Sequence, residues 1–272
     1  MKLLFLILFP SIVFAQTPLK MLIRKTPPPG FSPTDISGLK FWVKADQLSA
    51  SDGDPVGTWT DLSGVGNTVT ASSSARPTYK TSIQNNKPIV RFDGSDDVMN
   101  KASFSGIDGV AGMTIFIVVK QPTLTTNNIY VSKWDYQTQG TFAWQTDQST
   151  SSELKAYIAN ACNDNGSNNM TSTDASLTTN FFLLELVYDG SQSNASRVKF
   201  YRNTTLLSTS VSGTIPTTLT SCTADFRVGS FGGSLTRYFT GDIGEIIIYD
   251  SALSGGNRAS VESYLNSRWA IY

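Results

Sequence analysis

The stretch Gly241 to Asp250 limits the possible folds of this chain more than any other. On a strand, Ile246 and Ile248 fall on one face and Ile243, Ile247 and Tyr249 on the other, because successive side chains alternate. Apolar groups on both faces demand cover on both sides, so the stretch reads as an interior strand of a layered protein. After a turn at Ser251 to Ser254, Val261, Tyr264, Leu265 and the pair Arg268/Trp269 recur at helical spacing and form one apolar stripe. That stripe reads as a short closing helix laid on the sheet. Gly255 and Gly256 stand at its start, each costing roughly 1 kcal/mol relative to alanine, and predict a frayed first turn.

The remaining chain repeats the strand pattern and offers almost no helix. Gly38 to Ala45 alternates, with Leu39, Phe41 and Val43 inward and Lys40, Trp42 and Lys44 outward. Trp59 to Asp61 is a short extended piece, and the glycine-rich turn Leu62 to Asn67 follows it. Pro88 to Asp93 is a strand stopped by the turn Gly94 to Asp97. Thr114 to Val119 is uniformly apolar and therefore central. Further strands are read at Ile129 to Lys133, Thr141 to Gln145, Leu154 to Ala159, Phe181 to Tyr188 and Phe226 to Ser230. Arg197 to Arg202 and Leu206 to Val211 read as a hairpin around Asn203 and Thr204. About a dozen strands without intervening helices imply an all-β protein, an antiparallel β-sandwich (jelly roll) with one short C-terminal helix, and not βαβ units.

Composition narrows the function. Twenty-one basic and twenty-one acidic residues balance, and only 15% of the chain is charged. The excess of cations that drives nucleic-acid binding is missing, so no nucleic-acid partner is expected. Residues 1–15 resemble a secretory signal: Lys2, an apolar run from Leu3 to Phe14, and a small-residue cleavage site at Ala15. The run is too short for a membrane span, which needs roughly 20 residues, and no membrane insertion is expected. A start at Met21 is the alternative. Residues 16–35 carry Pro27, Pro28 and Pro29 and read as a Pro-rich tether, available to an assembly partner, ahead of a single domain over 36–272. In an oxidising compartment Cys162 and Cys222 would form a disulfide closing a loop of about 60 residues; two separate buried thiols are the alternative.

Four segments in this order carry a resemblance: Leu39 to Asp46, Trp59 to Asn67, Pro88 to Asp97, and Gly241 to Asp250 with Leu253, Ser254, Tyr264 and Leu265. Together they resemble the laminin G-like branch of the concanavalin A-like lectin/glucanase superfamily, over residues 36 to 272. The resemblance implies a jelly-roll sandwich but leaves function open, since lectins, adhesins, hydrolases and spacers share this fold. Its hydrolases carry paired carboxylates on one strand, the arrangement retaining hydrolysis needs. Here Thr240 occupies the first of those positions, ahead of Asp242 and Glu245, which read as turn or rim carboxylates. Glu185 and Asp189 do not restore the pair. The chain has no histidine, which removes Ser-His-Asp and Cys-His catalysis and His-ligated metals. The expectation is a protein that is not an enzyme.

Binding remains. Trp134, Tyr136, Trp144 and Tyr157, interleaved with Asp135, Gln137, Gln145 and Asn160, combine rings for stacking on a sugar with amides for its hydroxyls. The alternative for these rings is ordinary packing. Asp61, Asn67, Asp93, Asp96, Asp97 and Asp242 offer the hard oxygen ligands calcium uses, a role the family resemblance favours; their alternative is simple turn formation. The expected protein is a secreted, lectin-like module binding a glycan or cell-surface ligand. The second reading is a structural or receptor-binding module of a larger assembly, such as a viral fibre or decoration protein. A glucan hydrolase comes third.

Overall fold

A computed structural model describes residues 30–272 apart from 105, 137 and 234–236; the leader and most of the Pro-rich segment lie outside the described residues. Two antiparallel sheets face each other, one of eight strands and one of ten. In the eight-stranded sheet the order is Thr205–Leu206, Val198–Arg202, Phe181–Asp189, Gly112–Lys120, Thr240–Tyr249, Lys87–Asp93 and Thr78–Gln84. The interior position of Thr240–Tyr249 is as the sequence reads it. One edge pairs with Gly112–Lys120; the other is divided between Lys87–Asp93 at Thr240 to Ile243 and Leu39–Lys44 at Glu245 to Tyr249.

The ten-stranded sheet runs Thr209–Ser212, Asn169–Ser172, Leu154–Ile158, Gln139–Thr146, Ile129–Tyr136, Phe226–Val228, Met99–Lys101, Val69–Thr70 and Thr58–Trp59. Gly232–Gly233 adds a two-residue parallel pair beside Asp135 and Tyr136. The expected hairpin after Val198–Arg202 lasts only two pairs. The chain then crosses, and Thr209–Ser212 joins Asn169–Ser172 in the other sheet.

Apolar side chains between the sheets, among them Phe41, Ile117, Trp144, Phe200 and Ile248, form the main core. A second core lies outside the eight-stranded sheet, where helix α1 (Gly255–Trp269) sets Val261, Leu265 and Trp269 against Trp42, Phe116 and Ile247. Trp42 is therefore covered, not outward-facing, and Leu39 turns to the helix side after a register shift before Phe41. Gly244 has no partner on Gly112–Lys120, and this bulge moves Ile243 to the inter-sheet face with Ile246 and Ile248. The helix starts on Gly255 itself, where the Ser254 hydroxyl accepts from Asn257 N–H. Phe31 also packs on α1, its ring 6.1 Å from that of Tyr264, and Pro33 C=O accepts from the Tyr249 hydroxyl at 2.8 Å. The folded unit thus includes the last residues of the segment read as a tether. Among the described residues no helix is long and apolar enough to cross a membrane.

Candidate functional site

Among the described residues a helix closes the outer face of one sheet and not that of the other. On the outer face of the ten-stranded sheet, strand alternation sends Leu154, Ala156 and Ile158 into the core and Lys155 and Tyr157 outward. Tyr157 pairs with Ala143 on one side and Asn169 on the other. Trp134 stands opposite Gly140, and a Cβ on Gly140 would lie 2.6 Å from the indole, so the ring rests on bare backbone. Trp134, Tyr157 and Phe231 form a small apolar cluster with Ile129, Ala143 and Ala159, apart from the main core. Ring centroids are 6.0 Å apart for Trp134 and Tyr157, and 6.5 Å apart for Tyr157 and Phe231.

A cleft of about 300 Å³ opens over this cluster. Trp134, Tyr157 and Phe231 form its floor, and Tyr136, Asn165, Gly166 and Asn169 contribute to its lining. Gln148, Lys155 and Arg237 add polar groups. Trp134 is 2% exposed and Tyr157 6%, so these rings offer little free surface; Tyr136, only partly buried, presents more of its ring. Burial pushes the Tyr157 phenol up to about 12, with the Arg237 charge pulling the other way. The ammonium of Lys155 sits 5.7 Å from the Tyr157 ring centroid and pairs with Asp147 at 3.2 Å. The guanidinium of Arg237 lies 5.6 Å from the Phe231 centroid.

The loop over 159–168 forms one wall and is tightly tied. Asp164 accepts from the backbone N–H groups of Asn160 (3.1 Å), Gly166 (2.8 Å) and Ser167 (3.3 Å) and from the Asn168 amide (2.7 Å). Gly166 takes φ +86° and lies against Tyr157, where a Cβ would be 3.1 Å from the ring. Cys162 is disulfide-bonded to Cys222, which fixes the loop to the segment before Phe226–Val228. Of the five residues read as sugar-contacting, Trp134, Tyr136 and Tyr157 come together here. Trp144 does not: it points into the core at 0% exposure, stacked on Phe200. Asn160 is exposed on the loop, outside the cleft. Gln148, Lys155, Asn165, Gly166, Asn169, Phe231 and Arg237 were not among the residues the sequence assigned to a sugar site. The outward alternation of Lys155 with Tyr157 is the only local signal for any of them.

The six oxygen-bearing candidates separate into three places. Asp61 takes Trp42 N–H and Ser63 N–H on one oxygen, and Ser63 O–H and Asn67 N–H on the other; Asn67 donates to Lys40 C=O. These two residues clamp the glycine turn to the first strand. Asp242 forms a two-pronged pair with Arg91 at 2.6 and 2.9 Å. Asp93, Asp96 and Asp97 do converge, with a carboxylate oxygen from each within 4.8 Å of the others. Asp97 is held at about 6 by desolvation and by the neighbouring Asp93 and Asp96 charges, against a backbone hydrogen bond from Asp93. The carboxylates of the hydrolase pattern are engaged as well. Glu245 is not at a rim: it is 0% exposed and accepts from Trp42 Nε1, Trp269 Nε1, Tyr264 O–H and Arg268 Nε.

No protein-family model matches the sequence, and no curated protein does either. Solved structures match in fold. The binding domain of Paraclostridial mosquitocidal protein 1 superposes with a TM-score of 0.56 at 13% identity, over 87% of this chain and 53% of that one. A Trypanosoma rangeli sialidase in complex with sialic acid gives 0.53 at 12%, over 85% and 33%. Domain 4 of an extracellular arabinanase from Geobacillus stearothermophilus, in complex with arabinotriose, gives 0.50 at 16%, over 83% and 98%. The chain spans about half of the first protein and a third of the second, and nearly all of the arabinanase domain. At these identities the likeness is one of fold, an antiparallel β-sandwich.

Proposed function

We propose that this chain is a carbohydrate-binding module whose ligand sits in the cleft on the open face of the ten-stranded sheet. The carrying observation is the cleft itself: an aromatic floor, a partly exposed Tyr136 ring, and the amides of Asn165, Asn169 and Gln148 at its lining. A pyranose buries its apolar C–H face on a ring and has its hydroxyls read by amides, a division of labour typical of ligand sites. The Asn169 amide nitrogen already donates to Gly166 C=O (3.2 Å) and Ser167 C=O (3.4 Å), which turns the group and leaves its oxygen to accept from a hydroxyl. The fold likeness to a binding domain and to an arabinanase domain with a bound trisaccharide supports this reading. Catalysis is disfavoured, because Asp242 is held by Arg91 and both Glu245 oxygens accept buried donors. We place the module in the laminin G-like branch and outside the cell, on the segment order, the leader-like residues 1–15 and the disulfide.

The test is a glycan array, followed by titration calorimetry on each hit, with wild type, Tyr136→Ala and Asn169→Ala, in calcium and in chelator. Each variant should lose about tenfold or more in affinity, the scale of one stacked ring or one well-placed hydrogen bond, while its melting temperature stays close to wild type. A wild type that binds no glycan, or variants that bind as tightly as wild type, would overturn the proposal.

A further inference from the structure

We infer that the sugar taken by this cleft carries a carboxylate, as a uronic or sialic acid does, and that Arg237 holds it; this rests on the carbohydrate reading above. Two cations line the cleft, and they differ in one respect. Lys155 is neutralised by Asp147 at 3.2 Å. Arg237 has no carboxylate within ion-pair distance among the described residues, and no residue outside them is an Asp or Glu. The other partly buried arginines all have acceptors. Arg227, Arg258 and Arg268 each engage two carboxylates, and Arg197 and Arg202 give their guanidinium donors to backbone carbonyls, whereas Arg237 has neither kind of partner among the described residues. A partly buried guanidinium without a counter-ion favours an anion, and its planar fork fits a carboxylate with two parallel hydrogen bonds.

The placement also favours a sugar acid over a free anion. The guanidinium lies 5.6 Å from the Phe231 ring centroid, within cation–π range, and near the Tyr157 hydroxyl, so its fork is placed at the aromatic floor. Tyr136 and the Asn165 and Asn169 amides line the same cleft, giving the ring and hydroxyls of one sugar their own partners. About 300 Å³ is the lower end of ordinary ligand pockets, which suits a terminal or single acidic unit. The chain as a whole is charge-balanced, so attraction for anions would arise at this cleft and not from the general field.

The experiment pairs each acid with its neutral counterpart: sialyllactose with lactose, and a galacturonate trisaccharide with its methyl ester. Wild type should bind one of the acids at least tenfold more tightly than its counterpart, and the pair that responds identifies the source. Arg237→Ala should abolish that preference while keeping residual affinity for the neutral sugar, and Arg237→Lys should retain part of it. The ester comparison needs no variant, so it stands even if Arg237→Ala destabilises the protein. Equal affinity for acid and neutral forms, or a preference that survives in Arg237→Ala, would overturn this inference and leave the carbohydrate reading intact. Absence of binding to any glycan would overturn both.

Discussion

Glu245 is the residue on which the closed face of the molecule depends. Two indole N–H groups, a phenol and a guanidinium converge on its carboxylate at 2.8 to 3.3 Å, from the first strand and from α1. Replacing it with alanine would strand the two buried indole donors and take a partner from the half-buried Tyr264 hydroxyl and from Arg268, which keeps Asp46. The cost of breaking such a buried charged cluster is about 3 to 5 kcal/mol, a drop of roughly 6 to 20 °C in Tm for a domain of this size. Urea and thermal unfolding of Glu245→Ala would measure it; a loss under 1 kcal/mol would show that the donors find water or each other. In the sequence this residue looks like a rim carboxylate, because its partners lie 203 and 24 positions away at Trp42 and Trp269 and leave no local mark. Trp144 carried a usable signal: it shares parity with Phe142, against the small or polar Thr141, Ala143 and Gln145, and that alternation assigns it to the core.

At the scale of elements, long strands were legible and connections were not. Gly112–Lys120 and Phe181–Asp189 are long enough to show a buried apolar run, whereas Val69–Thr70 and Met99–Lys101 are too short to show any period. The hairpin reading beyond Thr205–Leu206 failed because Leu207 turns into the core and the chain changes sheets, a tertiary event with no local signature. The cleft suffers most from this limit, since Arg237, Asn165 and Gln148 arrive on three loops. Its most constrained wall is the loop over 159–168, fixed by Asp164 and by the Cys162–Cys222 bond across 60 residues. Cys162→Ser with Cys222→Ser should lower stability by about 4 kcal/mol on the chain-entropy model. It should also weaken glycan binding, since Asn165 and Gly166 lose their anchor. Urea titrations of the oxidised protein and the double variant, each with the bound sugar's dissociation constant, would check both; coincident urea midpoints would refute the structural role.

For the whole molecule, three layers follow from one asymmetry: α1 covers the eight-stranded sheet, whereas among the described residues only loops and side chains, and no helix, lie over the aromatic face of the ten-stranded one. Closing the first face buries charge. Glu185, 0% exposed, sits on Arg258 at 3.0 Å, and Arg258 also binds Glu262 at 2.7 Å. Burial, and then the Glu262 charge, raise Glu185 to about 8 from an ordinary 4.5, against the pull of Arg258. The folded state therefore keeps a proton there that the unfolded chain releases near 4.5. Where the folded state binds more protons, stability falls as pH rises, so this contribution is full below about 4.5 and is lost on the way to about 8. One such group sets a slope of at most about 1.4 kcal/mol per pH unit. Asp97, raised to about 6, acts in the same direction over the lower part of that window. Little opposes them: the chain has no histidine, and Asp52, Asp147 and Asp189 are shifted below their ordinary range and titrate in stronger acid. Urea midpoints should thus decline from pH 5 to pH 8, and Glu185→Gln, which keeps an acceptor for Arg258 without a titrating proton, should flatten most of that decline. A wild-type midpoint that is level or rises over the interval, or a variant that keeps the full slope, would mean that the Arg258 pairing outweighs burial and holds Glu185 ionised.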